Sequence, residues 1–449
     1  MIKAVESLVI EGSFFSASKS TVVNYKHHSL ISIDQNGMID RVINEHQEDY
    51  DQVRKRADHA GRLIELQPDE YLLPGFIDLH VHAPQWPQAG LALDRPLNEW
   101  LNHYTFPLEA RYQDSQFAQH VYEQLVPELL ANGTTTALYF GTIHNSANLI
   151  LAKAAVKFGQ RAFIGKVAMD NPEQTPSYYR DESSQAALSQ TDEFIQKMES
   201  LQQQTGGHIT PVITPRFVPS CTDETLNGLG QIARKYDLPI QSHCSESNWE
   251  HQYVIDRFGQ HDAQVLDKFG LLTQRSVMAH GTQLDDTDID LFKQRGSAVA
   301  HCPISNAYFG NGVLPVNKLI VNHNKIGLGS DISGGYSPSL YENSRQAVQA
   351  SRMLEDGTDT TLPASKRGAS NRRISMKTSF YMATVGGADS LNIMAGKIEP
   401  GYVADLQIVQ DKNADFAAEP ADVLDRLMYQ TSPATIKKVF VGGQLVTEK

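Results

Sequence analysis

Pro74-Gly75-Phe76-Ile77-Asp78-Leu79-His80-Val81-His82 ends an apolar run with two histidines two apart. In an extended strand, residues i and i+2 point to one face. His80 and His82 therefore present two imidazoles to one point, as a metal site requires. Further down the chain, Pro239-Ile240-Gln241-Ser242-His243, Ser276-Val277-Met278-Ala279-His280-Gly281 and Gly327-Leu328-Gly329-Ser330-Asp331 each read as a short buried strand followed by a turn. Each delivers one metal-competent side chain at the strand's C-terminal end. A (β/α)8 barrel keeps its active site at that end. Ligands carried by strands one, five, six and eight of one barrel converge on its axis.

The other four strands fit between these. Thr134–Phe140 is β-branched and aromatic and reads as strand two; Arg161–Val167, Ile209–Pro215 and Ser297–Ala300 read as strands three, four and seven. Helix-like stretches such as Ser183–Gln204 and Asp285–Gln294 separate them. Strands alternating with helices argue for a parallel sheet, and eight successive units fit a closed barrel. No strand is followed by a Gly-rich dinucleotide fingerprint. The expected fold is therefore α/β: a (β/α)8 TIM barrel over 71–395, with a small β-sandwich formed by residues 1–70 and 396–449. The N-terminal part reads as strands, such as Ser7–Ile10 and Ser29–Ile33, with no clear helix. Ile374–Leu391 has apolar positions at helical spacing and ends the barrel, while polar Asp356–Arg373 reads as a mobile surface loop.

Composition narrows the partners. A chain of 449 residues accommodates a barrel and a small second domain. A net charge of −13 disfavours nucleic acid, which is bound by clustered cations. No apolar run is long enough to span a bilayer, and Met1–Glu6 lacks the apolar core of a signal peptide. The three cysteines, Cys221, Cys244 and Cys302, form no CxxC pair, so neither a disulfide framework nor a thiolate zinc site is expected. A reduced, cytoplasmic enzyme is the plain inference.

The donor set supports a chemical reading. His80, His82, His243 and Asp331 suit one Zn²⁺ per chain with room for a water, whose pKa such an ion lowers towards about 7. Iron fits the same donors. Strand four runs into Pro215-Arg216-Phe217, with neither the Lys nor the Glu that would bridge a second metal; Lys166 belongs to strand three.

The chain resembles the amidohydrolase superfamily from Leu73 to Leu445. General marks are Pro74–His82, Gly327–Asp331 and Lys397-Ile398-Glu399-Pro400-Gly401. Sharper marks are similar to the guanine-deaminating branch: His82-Ala83-Pro84-Gln85, Tyr104-Thr105-Phe106-Pro107-Leu108-Glu109, Thr214-Pro215-Arg216-Phe217, His243-Cys244-Ser245-Glu246 and Ser330-Asp331-Ile332-Ser333-Gly334-Gly335. The resemblance implies guanine as a small-molecule substrate, hydrolysis to xanthine and ammonia, zinc, and a homodimer. By position it implies metal ligation by His80, His82, His243 and Asp331. Glu246, Asp331 and His280 take catalytic roles. Gln85, Arg216 and Phe217 contact the purine, with His82, His243, Glu246, His280 and Asp331 around it.

These roles have physical sense. Arg216 offers a fixed fork of donors to a ring carbonyl. Gln85 can donate and accept. Glu246 can carry a proton from the attacking water to a ring nitrogen, and Asp331 can take a second. His301 reads as a supporting residue, Asp78 and Trp86 as packing and orienting groups, and Trp100 and Tyr104 as covers of the pocket. Thr282 and Tyr308-Phe309-Gly310 depart from the usual pattern, the latter at the expected pocket rim. The competing functions are a barrel deaminase for another purine, a pterin or a pyrimidine-type heterocycle, and a non-catalytic scaffold on the same barrel.

Overall fold

The computed structural model describes residues 7–449, so the reading of Met1–Glu6 lies outside the described residues. Two eight-stranded sheets make up the fold. The first joins both ends of the chain. It contains β1 (Leu8–Lys19), β2 (Val22–Ile33), β3 (Ile39–Asn44), β4 (Leu63–Glu65) and β5 (Glu70–Pro74). The C-terminal segment adds β14 (Leu406–Gln410), β15 (Ile436–Val441) and β16 (Gln444–Glu448). Their order is β16-β15-β14-β5-β1-β2-β3, with β4 alongside β1. The sheet is mixed: β1 runs antiparallel to β2 but parallel to β4 and β5. Ile10, Phe14, Ile31, Leu72, Leu406 and Phe440 pack on one another, so residues from both chain ends share one core.

One element of this region was not foreseen. Tyr50–His59 is an α-helix inside a segment read as strands only. Tyr50, Val53 and Ala57 recur at helical spacing, are buried, and pack on Val9, Leu30 and Ile43. The apolar stripe is three residues wide in a charged segment, too thin to stand out.

The second sheet is the barrel. Its strands are β6 (Phe76–His82), β7 (Thr134–Phe140), β8 (Arg161–Ala168), β9 (Ile209–Pro215), β10 (Ile240–Cys244), β11 (Ser276–His280), β12 (Ala298–His301) and β13 (Lys325–Leu328). All neighbours are parallel. Nearly every residue of these strands is buried, as parallel strands covered on both faces require. Leu79, Leu138, Phe163, Val212, Val277 and Ala298, from six different strands, form one cluster with Ala388, Leu391 and Ala395. Six strands of one sheet can share a cluster only around a common axis. The helix Gly387–Leu391, in the stretch read as helical, packs on that cluster through Ala388 and Leu391.

Closure between first and last strands falls at their C-terminal ends. The Asp331 amide donates to the His80 carbonyl at 2.8 Å, and the His82 amide donates to Ile332 at 2.9 Å. Asp78 reinforces the seam: its Oδ1 accepts from the Ser330 amide at 2.9 Å and the His80 amide at 3.2 Å. Burial pushes the Asp78 carboxyl up to about 7. Replacing it by Ala leaves two buried N–H groups unpaired, a cost of about 1–3 kcal/mol each. Asp78→Ala is expected to lower the unfolding midpoint by several degrees, and Asp78→Asn, which keeps an acceptor, by less; equal losses in a thermal melt would remove the seam argument.

Candidate active site

The metal-competent side chains meet where the sequence pattern put them. His82 Nε2 lies 3.0 Å from His243 Nε2. Asp331 Oδ1 lies 3.1 Å from His80 Nε2 and 3.4 Å from His82 Nε2. His80, His82 and His243 can each offer a donor atom within 4.8 Å of the others, and His280 joins His243 and Glu246 in the same way. All are buried. Burial lowers the pKa of His80, His82 and His243 well below the ordinary histidine value, so the three rings are neutral and carry lone pairs.

The tautomers agree with ligation. His243 Nδ1 donates to the Arg216 carbonyl at 2.6 Å, which leaves its Nε2 as a bare donor to a metal. His80 Nε2 and His280 Nε2 are buried with no hydrogen-bond partner in the protein. His280 Nδ1 pairs with Asn306 Oδ1 at 2.9 Å, turning its Nε2 towards Glu246, 3.8 Å away. Neutral nitrogens and one carboxylate converging at 3–3.4 Å are a donor set that suits a metal ion. Two site residues carry backbone strain: His280 and Asp331 have φ of +76° and +51°, in the left-handed region. Gly329 lets strand eight pass, since a Cβ there would sit 2.7 Å from the His80 Cβ.

Beside the donors lies a cavity with about 470 Å³ of empty space, part of it open to solvent. His82, Gln85, Trp100, Arg216, Phe217, His243, Glu246, His280, Phe309 and Asp331 line it. Every residue expected at the substrate is therefore in one cavity. Trp100 reaches the wall and packs on Phe309 at 5.4 Å between ring centroids, so the Tyr308–Gly310 departure does form part of the rim. Tyr104 does not line the cavity. His301 is buried, is pushed down to about 3 by burial and the nearby His280, and stays off the cavity wall. Lys166 pairs with Asp181 at 2.5 Å, away from the histidines, as a non-bridging lysine must.

Glu246 is positioned by Asn311, which the sequence did not mark, and by Thr282, marked there only as a departure from the pattern. Asn311 Nδ2 donates to its Oε1 at 3.2 Å, and Thr282 Oγ1 donates to its carbonyl at 2.6 Å. Burial, with the Asp331 charge second, pushes its carboxyl up to about 8. A carboxyl poised there exchanges protons readily near neutrality. Asn311 sits between two glycines in a loop with no periodic signal, so only its fold partner reveals it. Glu109 is the other omission: it is fully buried and bonds both Arg216 and Gln85. Burial opposes the Arg216 charge, and Glu109 outweighs that and raises the guanidinium's pKa. The Arg216 that the sequence offered as a donor to a ring carbonyl is also half of a buried ion pair.

A parallel barrel with a histidine-carboxylate metal site at its C-terminal face defines a class of hydrolase. The Amidohydrolase family model matches residues 71–446, and the chain belongs to the amidohydrolase family. Within it, the chain is 35% identical to guanine deaminase of Mus musculus over 98% of this chain and 96% of that one. It is 34% identical to guanine deaminase of Dictyostelium discoideum, over 99% and 100%. Guanine deaminase from C. acetobutylicum, solved with guanine bound in its active site, superposes with a TM-score of 0.87 at 31% identity, covering 98% of this chain and all of that one. Among the described residues, no helix is long and apolar enough to cross a membrane.

Proposed function

We propose that this chain hydrolyses guanine to xanthine and ammonia, with Zn²⁺ as its metal. The observation that carries the reading is that one cavity brings together two sets of groups: Arg216, Gln85 and Phe217, and His82, His243, Asp331 and Glu246, with His80 3.1 Å from Asp331. The first set suits a flat heterocycle bearing a carbonyl. The second suits the hydrolysis of a C–N bond.

His80, His82, His243 and Asp331 hold the metal. When bound, zinc supplies Lewis acidity, lowering the pKa of a water from 15.7 towards about 7. The protein's own groups do the rest. Arg216 donates to the purine carbonyl, and Phe217 and Phe309 bound the cavity. Attack at C2 makes that carbon tetrahedral, and Glu246 moves a proton from the water to the adjacent ring nitrogen. Asp331 takes the second proton and returns it to the departing amine, so water and guanine give xanthine and ammonia in balance. His280, held by Asn306 and facing Glu246, polarises the attacked centre.

Incubating the purified protein with guanine and following xanthine and ammonia tests the reading. Guanine is expected to turn over at least about 10²-fold faster than adenine, cytosine or a pterin, because a site built for one polar edge leaves its groups unpaired on the others. A panel in which another base is preferred would overturn it. Arg216→Ala is expected to raise KM for guanine by about 10²-fold, consistent with the loss of a charge-assisted bond of about 1.5–3 kcal/mol. It also strands the buried Glu109, so an unchanged KM would exclude Arg216 from recognition.

A further inference from the structure

The helix Phe106–Ala110 carries chemistry that the reaction above leaves unused. Its Glu109 is fully buried. Glu109 Oε2 accepts from Arg216 Nη1 at 2.6 Å, and Oε1 accepts from Arg216 Nη2 at 3.2 Å. The same Oε1 accepts from Gln85 Nε2 at 2.9 Å. Phe106, three residues earlier and so on the same helical face, holds its ring centroid 5.1 Å from the Arg216 guanidinium carbon. One helical turn therefore grips the guanidinium through both its edge and its face.

The Gln85 amide follows from this pair. Gln85 Nε2 lies 2.9 Å from Glu109 Oε1, the oxygen that also accepts from Arg216 Nη2. The group Gln85 turns towards it is therefore the NH2. Its Oε1 is then directed elsewhere, buried and without a partner in the protein, on a residue that lines the cavity. The Arg216 donors and the Gln85 acceptor lie side by side, because both residues bond one carboxylate oxygen.

We infer that Glu109 is a positioning residue that sets the polarity of the base-reading edge, holding Arg216 as donor and Gln85 as acceptor. A ring carbonyl next to a ring N–H matches that pair. An amine next to an unprotonated ring nitrogen opposes it at both positions. This deepens the guanine reading and rests on it: Glu109 rejects bases by hydrogen-bond polarity without touching them.

The test is a charge exchange in the metal-loaded enzyme. Glu109→Gln has one acceptor oxygen where the carboxylate has two: set at the Oε1 position it turns its NH2 against Arg216 Nη1, and set at Oε2 it turns its NH2 against the Gln85 amide, so one of the two partners loses its hold. KM for guanine is expected to rise by about 10²-fold while kcat changes by no more than about threefold, the pattern of lost binding rather than lost chemistry. Adding Gln85→Glu puts the carboxylate on the other partner, where it accepts from the new amide and again shows an acceptor to the cavity. That double variant is expected to recover at least about tenfold in kcat/KM, a coupling a merely structural residue does not give. KM within twofold of wild type in E109Q, or a double variant no better than E109Q, overturns the inference. If E109Q does not fold, Gln85→Glu alone decides: two facing carboxylates must raise KM by about 10²-fold, and an unchanged KM overturns it. Failure of the wild type on guanine would defeat the functional reading itself, whereas an indifferent E109Q in an active enzyme defeats this inference alone.

Discussion

Glu246→Gln is expected to leave the metal bound and to reduce kcat for guanine by about 10⁴-fold, the upper end for one acid–base group. The size follows from what the residue does and where it sits. Its carboxyl is asked to move a proton between water and ring within one turnover, and no other carboxylate but the metal-facing Asp331 lines the cavity on that side, apart from Glu250, whose Oε2 is engaged by the Glu246 amide at 2.7 Å. The substitution is nearly isosteric. A Gln Oε1 can still accept from Asn311, and the Thr282 bond to the Glu246 carbonyl is untouched. Relief of a buried carboxyl should, if anything, stabilise the fold. Xanthine formation and metal analysis on the same preparation check this. Near-wild-type turnover with full metal content would remove Glu246 as the proton carrier.

His82→Ala is expected to abolish both stoichiometric metal and activity. Its Nε2 stands 3.0 Å from His243 and 3.4 Å from Asp331, so it lies at the centre of the donor set rather than at its edge. Without it, three donors remain for an ion that takes four or more. Turnover is expected to fall to the background rate. A second readout is independent of activity: an ion bound only to the folded state stabilises it by mass action, about 2.7 kcal/mol at a hundredfold excess over Kd. The wild type should therefore lose thermal stability on chelation and regain it with Zn²⁺, while His82→Ala should respond to neither. A variant that keeps one metal per chain and most of its activity would refute the ligand set.

The barrel and the donor residues were legible because their signals are local. A parallel strand buried on both faces reads as a short apolar run, and each metal-competent residue stands at the end of one: His80 and His82, His243, His280, Asp331. The Tyr50–His59 helix was not legible, since three buried positions in a charged segment give too weak a period. Glu109 and Asn311 were missed for a different reason. Glu109 entered only as the end of the Tyr104–Glu109 stretch and Asn311 not at all, because the partners that give them roles, Arg216 and Glu246, are 107 and 65 residues away. Tyr104 shows the converse, an aromatic inside a recognised motif that the fold leaves off the cavity lining.

The amino-acid order alone determined the alternation of strand and helix, the strand-end placement of the metal donors, and so the class of chemistry. Only the tertiary structure decided which groups bear on those donors: the seam through Asp78, the Asn306 and Asn311 contacts, and the Glu109 carboxylate that orients Arg216 and Gln85. The division has one physical cause. Strand burial and side-chain alternation repeat over a few residues, whereas a buried hydrogen bond between segments depends on loop paths that no local period encodes.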